Sequence, residues 1–145
     1  ICGIVMLSFK DSVVLVVGGA GFVGSNLINE ILLENPKKII IVDNLLSSNI
    51  TNVSMDRRVE FVFGSITEDK LLTGLSDQIE FVFHLACYHG NQSSIADPIA
   101  DHANNTLTTL KLFERLKDMH SVKKVVYAAA ACASSRKDHL MKLFQ

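Results

Sequence analysis

The stretch VVLVVGGAGFVGS at residues 13–25 decides how this chain folds. Its first five residues are aliphatic, which is typical of a strand buried on both faces. The glycines that follow fit two registers, Gly19-x-Gly21-x-x-Gly24 and Gly18-x-x-Gly21-x-x-Gly24. In either register one glycine allows a tight turn, one lets a ligand approach the backbone, and one lets the next helix lie close to the strand. The stretch therefore predicts a strand, a turn and a helix whose first N–H groups attract an anion.

The residues after the glycine turn supply the context that such a turn requires. Apolar residues recur at helical spacing from Phe22 to Leu32, and a second apolar strand, KKIIIVD, follows at residues 37–43. Asp43 ends that strand 19 positions after Gly24, close to the spacing of about 20 at which a carboxylate binds ribose hydroxyls in dinucleotide-binding folds. The order of these features favours a dinucleotide site. The alternative is a structural glycine turn with an Asp that caps a strand.

Composition excludes several classes of protein. With 145 residues, 48% hydrophobic content and a net charge of −1, the chain has the profile of one globular domain, and its scattered basic residues predict no nucleic-acid partner. The three cysteines lie far apart without a C-x-x-C pair, so neither a disulfide framework nor a metal site is expected. Sparse cysteines suit a reducing compartment, and we expect a cytoplasmic location.

The amino end is apolar but is too short to cross a membrane, and it lacks the basic flank of a signal peptide. No membrane partner is therefore expected. Met6 is a plausible first residue, which predicts that residues 1–5 are extraneous to the fold.

The remainder of the chain alternates between strand and helix patterns. Further strands are predicted at residues 58–64, 79–86 and 122–131. A helix start is predicted at Thr67, a polar loop at residues 87–98, and a long helix with an apolar face at residues 99–119. This alternation predicts an α/β fold, namely a doubly wound parallel sheet with three α/β/α layers. With the glycine turn at the switch point, the strand order is 3-2-1-4-5.

Several segments resemble one family, the extended short-chain dehydrogenases/reductases, and within it the NAD-dependent nucleotide-sugar epimerases and dehydratases. The similar segments are GGAGFVGS at 18–25, DNL at 43–45 with Ser47 and Ser48, FHLA at 83–86, Ser94-Ile95 with Asp97-Pro98, NTLTTL at 105–110 and VKKVVY at 122–127. Together these segments identify residues 8–133 as an NAD-binding Rossmann domain and residues 134–145 as a tail outside the family pattern.

The resemblance implies where NAD binds. The glycine turn would hold the pyrophosphate, Asp43 with Asn44 beside it the adenosine ribose, and Ser65 and Ile66 would flank the adenine. Leu85 and Ala86 would lie against the cofactor where the fourth strand ends, and Asn105 would support the strand ends near the nicotinamide ribose. The implied residues are Gly18, Gly21, Phe22, Val23, Gly24, Asp43, Asn44, Ser65, Ile66, Leu85, Ala86 and Asn105. Ser65 departs from the acid usual at its position. An acid at position 43 repels a 2′-phosphate, and no Arg lies between Asp43 and Arg57, so NAD is favoured over NADP.

Each of these assignments has a structural alternative. Leu85 and Ala86 could be core residues, and Asn105 could be an ordinary surface residue of the helix. His84 is interpreted as structural, while His89 in the polar loop is a candidate for substrate contact. The other three histidines are predicted to be solvated.

The family's catalytic residues have no counterpart in this sequence. The resemblance implies a Tyr-x-x-x-Lys pair and a Ser or Thr at the end of the fifth strand, which exchange a proton with a sugar hydroxyl during hydride transfer. Here Tyr88 is followed by Gln92, Tyr127 by Ala131, and the strand end reads AAAAC at residues 128–132. Cys132 has no identifiable base, so no catalytic residue is assigned.

Two functions therefore stay open at the level of sequence. One is the NAD-binding portion of a nucleotide-sugar epimerase or dehydratase, with hydride transfer in a full-length parent that is truncated here after the fifth strand. The other is an NAD-binding module without catalysis. A flavodoxin-like FMN domain is disfavoured, since that topology needs no ribose acid. An open edge on the fifth strand predicts lower stability or association, with a homodimer as one outcome.

Overall fold

The computed structural model describes residues 8–87 and 95–128. These residues form a parallel sheet of five strands in the order β3-β2-β1-β4-β5. The strands are β1 (Val13–Val17), β2 (Lys38–Asp43), β3 (Val59–Phe63), β4 (Phe81–His84) and β5 (Lys124–Tyr127). The α/β class and the strand order predicted from the sequence are confirmed.

The helices lie between the strands in the chain. They are α1 (Phe22–Leu33), a 3₁₀ turn (Ile50–Asn52), α2 (Asp69–Thr73), α3 (Pro98–Asp101), a π-helical segment (His102–Leu107) and α4 (Thr108–Leu116). None of the helices in the described part of the chain combines the length and the apolar character that a membrane crossing requires.

The central strand β1 has two buried faces, as its unbroken aliphatic run predicted. Val13, Leu15 and Val17 contribute to an apolar cluster on one side of the sheet, together with residues of α2 and α4. Val14 and Val16 contribute to the cluster on the other side with Ile28 and Ile31 of α1. Because the sheet is parallel, the carboxyl ends of β1, β2 and β4 meet at one edge, where the glycine turn and Asp43 are placed.

Three local predictions need correction. The helix predicted to start at Thr67 begins at Asp69, with Glu68 at its N-cap. Ile95 and Ala96 are already helical, although the sequence predicted loop as far as residue 98. Most importantly, the long helix predicted over residues 99–119 is interrupted by the π-helical segment His102–Leu107.

Only one side of α4 is buried. Thr108, Leu112 and Leu116 point into the core, whereas Leu110 is 62% exposed and Phe113 is 39% exposed. The apolar face predicted from the sequence therefore included two residues that lie at the surface.

Candidate dinucleotide site

The glycine turn requires glycine at Gly18 and Gly24 for different reasons. Gly18 has φ of +83°, and a Cβ there would lie 2.6 Å from the backbone nitrogen of Ala86. At Gly24 a Cβ would lie 2.5 Å from the carbonyl oxygen of Gly18, because α1 passes directly over the turn. Both contacts are with backbone, which has little freedom to move away. Because the backbone conformation and the close contact at Gly18 require glycine there, the structure favours the register that begins at Gly18 over the one that begins at Gly19.

Gly21 and Gly19 have other surroundings. A Cβ on Gly21 would meet only the oxygen of Gly18, at 3.4 Å, and Gly21 borders open space. A Cβ on Gly19 would instead approach the Ile41 side chain in the core at 2.8 Å. Gly21 is thus the position where a ligand can approach the backbone, and Gly19 serves the packing of the sheet against α1.

The turn opens into a cavity of ≈ 260 Å³ at the carboxyl edge of the sheet. Eleven of the twelve predicted cofactor-binding residues line this cavity: Gly18, Gly21, Phe22, Val23, Gly24, Asp43, Asn44, Ser65, Ile66, Leu85 and Ala86. The fold therefore brings together residues from the ends of four strands, as ligand binding at a topological switch point requires. Leu85 and Ala86 border the cavity because their N–H groups both donate to the carbonyl oxygen of Val17, at 2.8 and 3.0 Å.

The amino end of α1 supplies donors to this cavity. Gly21 is the N-cap, and no side chain caps the helix. The N–H groups of the first helical turn have no intrahelical acceptor and point out of the helix end. Phe22 and Val23 line the cavity at this point, with exposed fractions of 84% and 63%. This helix end can therefore bind an anionic group such as a diphosphate.

Asp43 is buried and its carboxylate is already well bonded. One oxygen, Oδ2, accepts the N–H of Ala20 at 3.0 Å, while Oδ1 accepts the N–H of Leu45 at 2.9 Å and the hydroxyl of Ser48 at 2.8 Å. An ionised carboxylate has about four lone-pair positions. A further donor can therefore still bind at Oδ2, and the carboxylate is fixed in place before any ligand arrives.

The adenine side expected from the sequence has one polar and one apolar residue. The Ser65 hydroxyl pairs with that of Thr67 at 2.8 Å, and the Ser65 N–H donates to a Glu68 carboxylate oxygen. Ile66 is 1% exposed and borders the cavity from the core side. Asn44 is exposed, and its side-chain oxygen accepts the N–H of Leu46 at 3.1 Å. Ser65 and Asn44 thus shape loops that border the cavity.

Asn105 is the predicted residue that does not line the cavity. Its side-chain amide donates to Asp101 at 2.8 Å. The preceding residue, Asn104, lines the cavity together with Thr108, and Thr108 donates to the carbonyl oxygens of Ala103 and Asn104 within the helix. Neighbouring residues on a helix point in different directions, so a shift of one position moves a side chain out of the cavity.

Sequence reasoning also missed other residues that line the cavity. They are Val17, Val42, Leu46, Ser47, Ser48, Gly64, Cys87, Asn104 and Thr108. Gly64, which has φ of +150°, could have been found from the rule that ligands bind beyond the carboxyl ends of parallel strands. Cys87 is exposed. The described residues contain no cluster of three metal-ligating side chains.

His84 is confirmed as a buried structural residue at the end of β4. It is 1% exposed, and its Nε2 lies 2.9 Å from the hydroxyl oxygen of Thr109. That hydroxyl donates to the carbonyl of Asn105 at 2.7 Å, so it must accept a proton from Nε2. Nδ1 has no hydrogen-bond partner among the described residues. Burial lowers the pKa of His84 below its usual 6.5, because desolvation disfavours the imidazolium. His89, the candidate for substrate contact, lies outside the described residues.

Fold and site together define a dinucleotide-binding domain of the doubly wound class, with a glycine turn, a helix end that binds anions and an acid after the second strand. The chain belongs to the NAD dependent epimerase/dehydratase family, whose family model matches residues 14–142. The match runs past residue 133, where the sequence analysis places a boundary. That boundary stays a prediction, since residues 129–145 lie outside the described part of the chain.

Individual relatives support this membership. A putative UDP-glucose 4-epimerase of Methanocaldococcus jannaschii is 32% identical over 121 residues, which cover 83% of this chain and 38% of that protein. The Bordetella bronchiseptica enzyme WbmF, solved in complex with NAD+, is 57% identical with a TM-score of 0.81, covering 84% of this chain and 37% of that one. The same enzyme has been solved with NAD+ and UDP.

A third relative is the epimerase Mth375 of Methanothermobacter thermautotrophicus, which is 36% identical with a TM-score of 0.82. The similarity covers 90% of this chain and 38% of that structure. The chain thus spans less than two fifths of the length of the relatives it matches.

Proposed function

We propose that this chain is the NAD-binding portion of a nucleotide-sugar epimerase or dehydratase. The observation that carries the proposal is the cavity in which the turn Gly18–Gly24, the end of α1 and Asp43 meet at the carboxyl edge of the sheet. Membership of an NAD-dependent family and a relative solved with NAD+ support the choice of dinucleotide.

The described residues fit NAD from the adenosine to the diphosphate. The first turn of α1 would bind the diphosphate through its N–H groups, and Asp43 would accept a ribose hydroxyl at Oδ2. Ile66 would give the adenine an apolar contact. Asp43 would also repel a 2′-phosphate, which supports NAD over NADP.

On the other side of the cavity, Leu85, Ala86, Asn104 and Thr108 line the space that is left for the nicotinamide half. Asn104 replaces Asn105 in this proposal, because Asn104 lines the cavity and Asn105 does not. Bound NAD would supply a hydride acceptor, and the chain's own residues would orient it and exclude water from one face.

The nucleotide-sugar substrate of the whole protein is proposed from its relatives, one of which was solved with UDP.

A second candidate function is NAD binding without hydride transfer. Its support is the strand end AAAAC at residues 128–132, which contains no Ser or Thr where the family resemblance implies a hydroxyl. A cytoplasmic location stays a prediction, and so does self-association through β5. That strand pairs with β4 and is the last in the sheet order of the described residues. Sedimentation of the chain against concentration tests the association.

The test of the proposed function is calorimetric titration of the chain with NAD+, alongside Asp43→Ala. We expect binding by the parent chain and a loss of at least tenfold in the variant. Asp118→Ala, which removes an exposed carboxylate that lies beyond the end of α4 and does not line the cavity, is the matched control and should bind normally. Failure of a folded parent chain to bind NAD+ would contradict the proposal.

A further inference from the structure

Ala20, in the middle of the glycine turn, is held from two sides by residues far along the chain. Its N–H donates to Asp43 Oδ2 at 3.0 Å, and its carbonyl oxygen accepts the Asn52 side-chain amide at 2.9 Å. Ala20 itself is fully buried. These two bonds fix the peptide groups on both sides of Ala20. The peptide group on the carboxyl side joins Ala20 to Gly21, at the amino end of α1.

The direction of the Ala20 carbonyl matters for an anion site. A carbonyl oxygen is the negative end of a peptide dipole, and it repels a diphosphate where an N–H would attract it. Gly21, Phe22 and Val23 line the cavity, whereas Ala20 and Asn52 do not. Asn52 therefore holds this oxygen outside the cavity, and a peptide flip that turned the oxygen inward would break the bond.

Local hydrogen bonds also fix the position of Asn52. It ends the 3₁₀ turn Ile50–Asn52, which Asn49 caps by accepting the Thr51 N–H at 3.0 Å. The Asn52 N–H donates to the Asn49 carbonyl at 3.0 Å. Because a carbonyl oxygen only accepts hydrogen bonds, the Asn52 nitrogen and not its oxygen must face Ala20.

We propose that Asn52 is a positioning residue for the diphosphate of the dinucleotide: it touches no ligand, and it keeps the Ala20 carbonyl out of the anion site. The proposal rests on the proposed function, since it assumes that a diphosphate binds at the turn. It predicts an effect confined to ligands that contain a diphosphate.

The test compares ADP with adenosine as probes. Asn52→Ala removes the donor, and Asn52→Asp keeps the shape but sets a carboxylate oxygen against the Ala20 oxygen. Thr51→Ser, on the same 3₁₀ turn and without a hydrogen bond to the glycine turn, is the matched control, because it keeps the hydroxyl that donates to Asn49. ADP affinity is measured by calorimetry and adenosine affinity by chemical-shift titration. The exchange rate of the Gly21 amide in the ligand-free chain reports on the turn itself.

We expect Asn52→Ala to weaken ADP binding about tenfold and Asn52→Asp to weaken it more. Adenosine binding should change less than twofold, and exchange at Gly21 should become faster. Thr51→Ser should match the parent chain in each measurement. Unchanged ADP affinity in both Asn52 variants would overturn the inference. Equal losses of affinity for ADP and adenosine would also overturn it, because they would indicate that the substitution disturbs the whole binding site. If the folded parent chain binds neither ADP nor NAD+, the proposed function fails and the inference fails with it.

Discussion

The two sides of the cavity are built differently. On the side of the glycine turn, a regular helix follows β1, and long-range hydrogen bonds from Asp43 and Asn52 fix the backbone of Ala20. On the side of β4, the chain leads to a π-helical segment, and His84 keeps an unpartnered Nδ1 among the described residues.

The difference indicates that the two sides of the cavity have different functions. On the turn side, hydrogen bonds from distant residues fix the backbone of Ala20, as a site that must hold a diphosphate in one geometry requires. The opposite side contains an irregular helix and a buried polar atom with unused bonding capacity, features that are often found next to functional sites. Substitutions on the turn side should therefore act on binding and stability together, and those on the other side mostly on stability.

The largest effect is expected for Gly24→Ala on the turn side. The new methyl group would lie 2.5 Å from the oxygen of Gly18 and 2.7 Å from the Cα of Gly19. Since neither backbone atom can move freely, α1 must shift, and we expect a loss of about 3 kcal/mol in the free energy of unfolding, within the range for overpacking. NAD+ binding should be lost as well.

Urea denaturation and calorimetry measure the two effects. Gly74→Ala is the matched control, because Gly74 follows α2 with an ordinary φ of −79° and lies outside the cavity. A Gly24→Ala variant that binds NAD+ like the parent chain would show that the turn is more adaptable than its contacts suggest.

A smaller effect is expected for Thr109→Val on the opposite side. The substitution keeps the shape of the side chain and removes the acceptor for His84 Nε2. A buried donor without a partner costs about 1–3 kcal/mol, so the free energy of unfolding should fall by that amount. Thr106→Val, at an exposed position of the preceding π-helical segment, is the control. The free energy of NAD+ binding should change less than the free energy of unfolding. A larger change in the binding free energy would contradict the difference between the two sides of the cavity.

The pH dependence of stability should report on His84. Its pKa is lowered in the folded chain by burial, so the unfolded chain binds a proton at a higher pH than the folded one. Its contribution to stability is therefore complete above about pH 6.5 and is lost as the pH falls through the lower folded value.

Urea midpoints between pH 5 and pH 8 for the parent chain and for His84→Gln measure this contribution. The slope below pH 6.5 should be shallower in the variant. Equal slopes in the two chains would assign the acid sensitivity to other groups.

The smallest effect is expected for Asn44→Ala, back on the turn side. Asn44 is exposed and accepts one N–H from Leu46. Loss of such a local bond should cost less than about 1 kcal/mol of stability, with a reduction in NAD+ affinity of no more than a few fold. Thermal unfolding and calorimetry would show both, and a tenfold loss of affinity would assign Asn44 a direct contact with the ribose.

The sequence predicted the features that depend on local pattern. Five aliphatic residues before a glycine turn, and Asp43 at the end of the next apolar run, were enough to predict β1 and β2. The alternation of strand and helix patterns, with the glycine turn at the switch point, predicted the strand order. Contacts between distant segments left no such pattern. The bond from Asn52 to Ala20 joins residues that periodicity cannot relate, and the choice between Gly18 and Gly19 depends on the backbone of Ala86.

The confusion between Asn104 and Asn105 has a similar cause. The π-helical segment His102–Leu107 changes the angular position of each side chain. No residue type in the segment predicts that the helix is wider there. Hydrophobic spacing describes a helix of uniform period, so it failed where the period changes.

The two bonds at Ala20 also constrain the order in which the site can form. They connect it to residues 23 and 32 positions further along the chain. During synthesis the glycine turn is therefore completed before its partners exist, and it cannot take its final shape until residue 52 has been added and has folded back. The glycine turn is synthesised before the residues that fix it, and its geometry is acquired only with the second strand and the 3₁₀ turn that follows it.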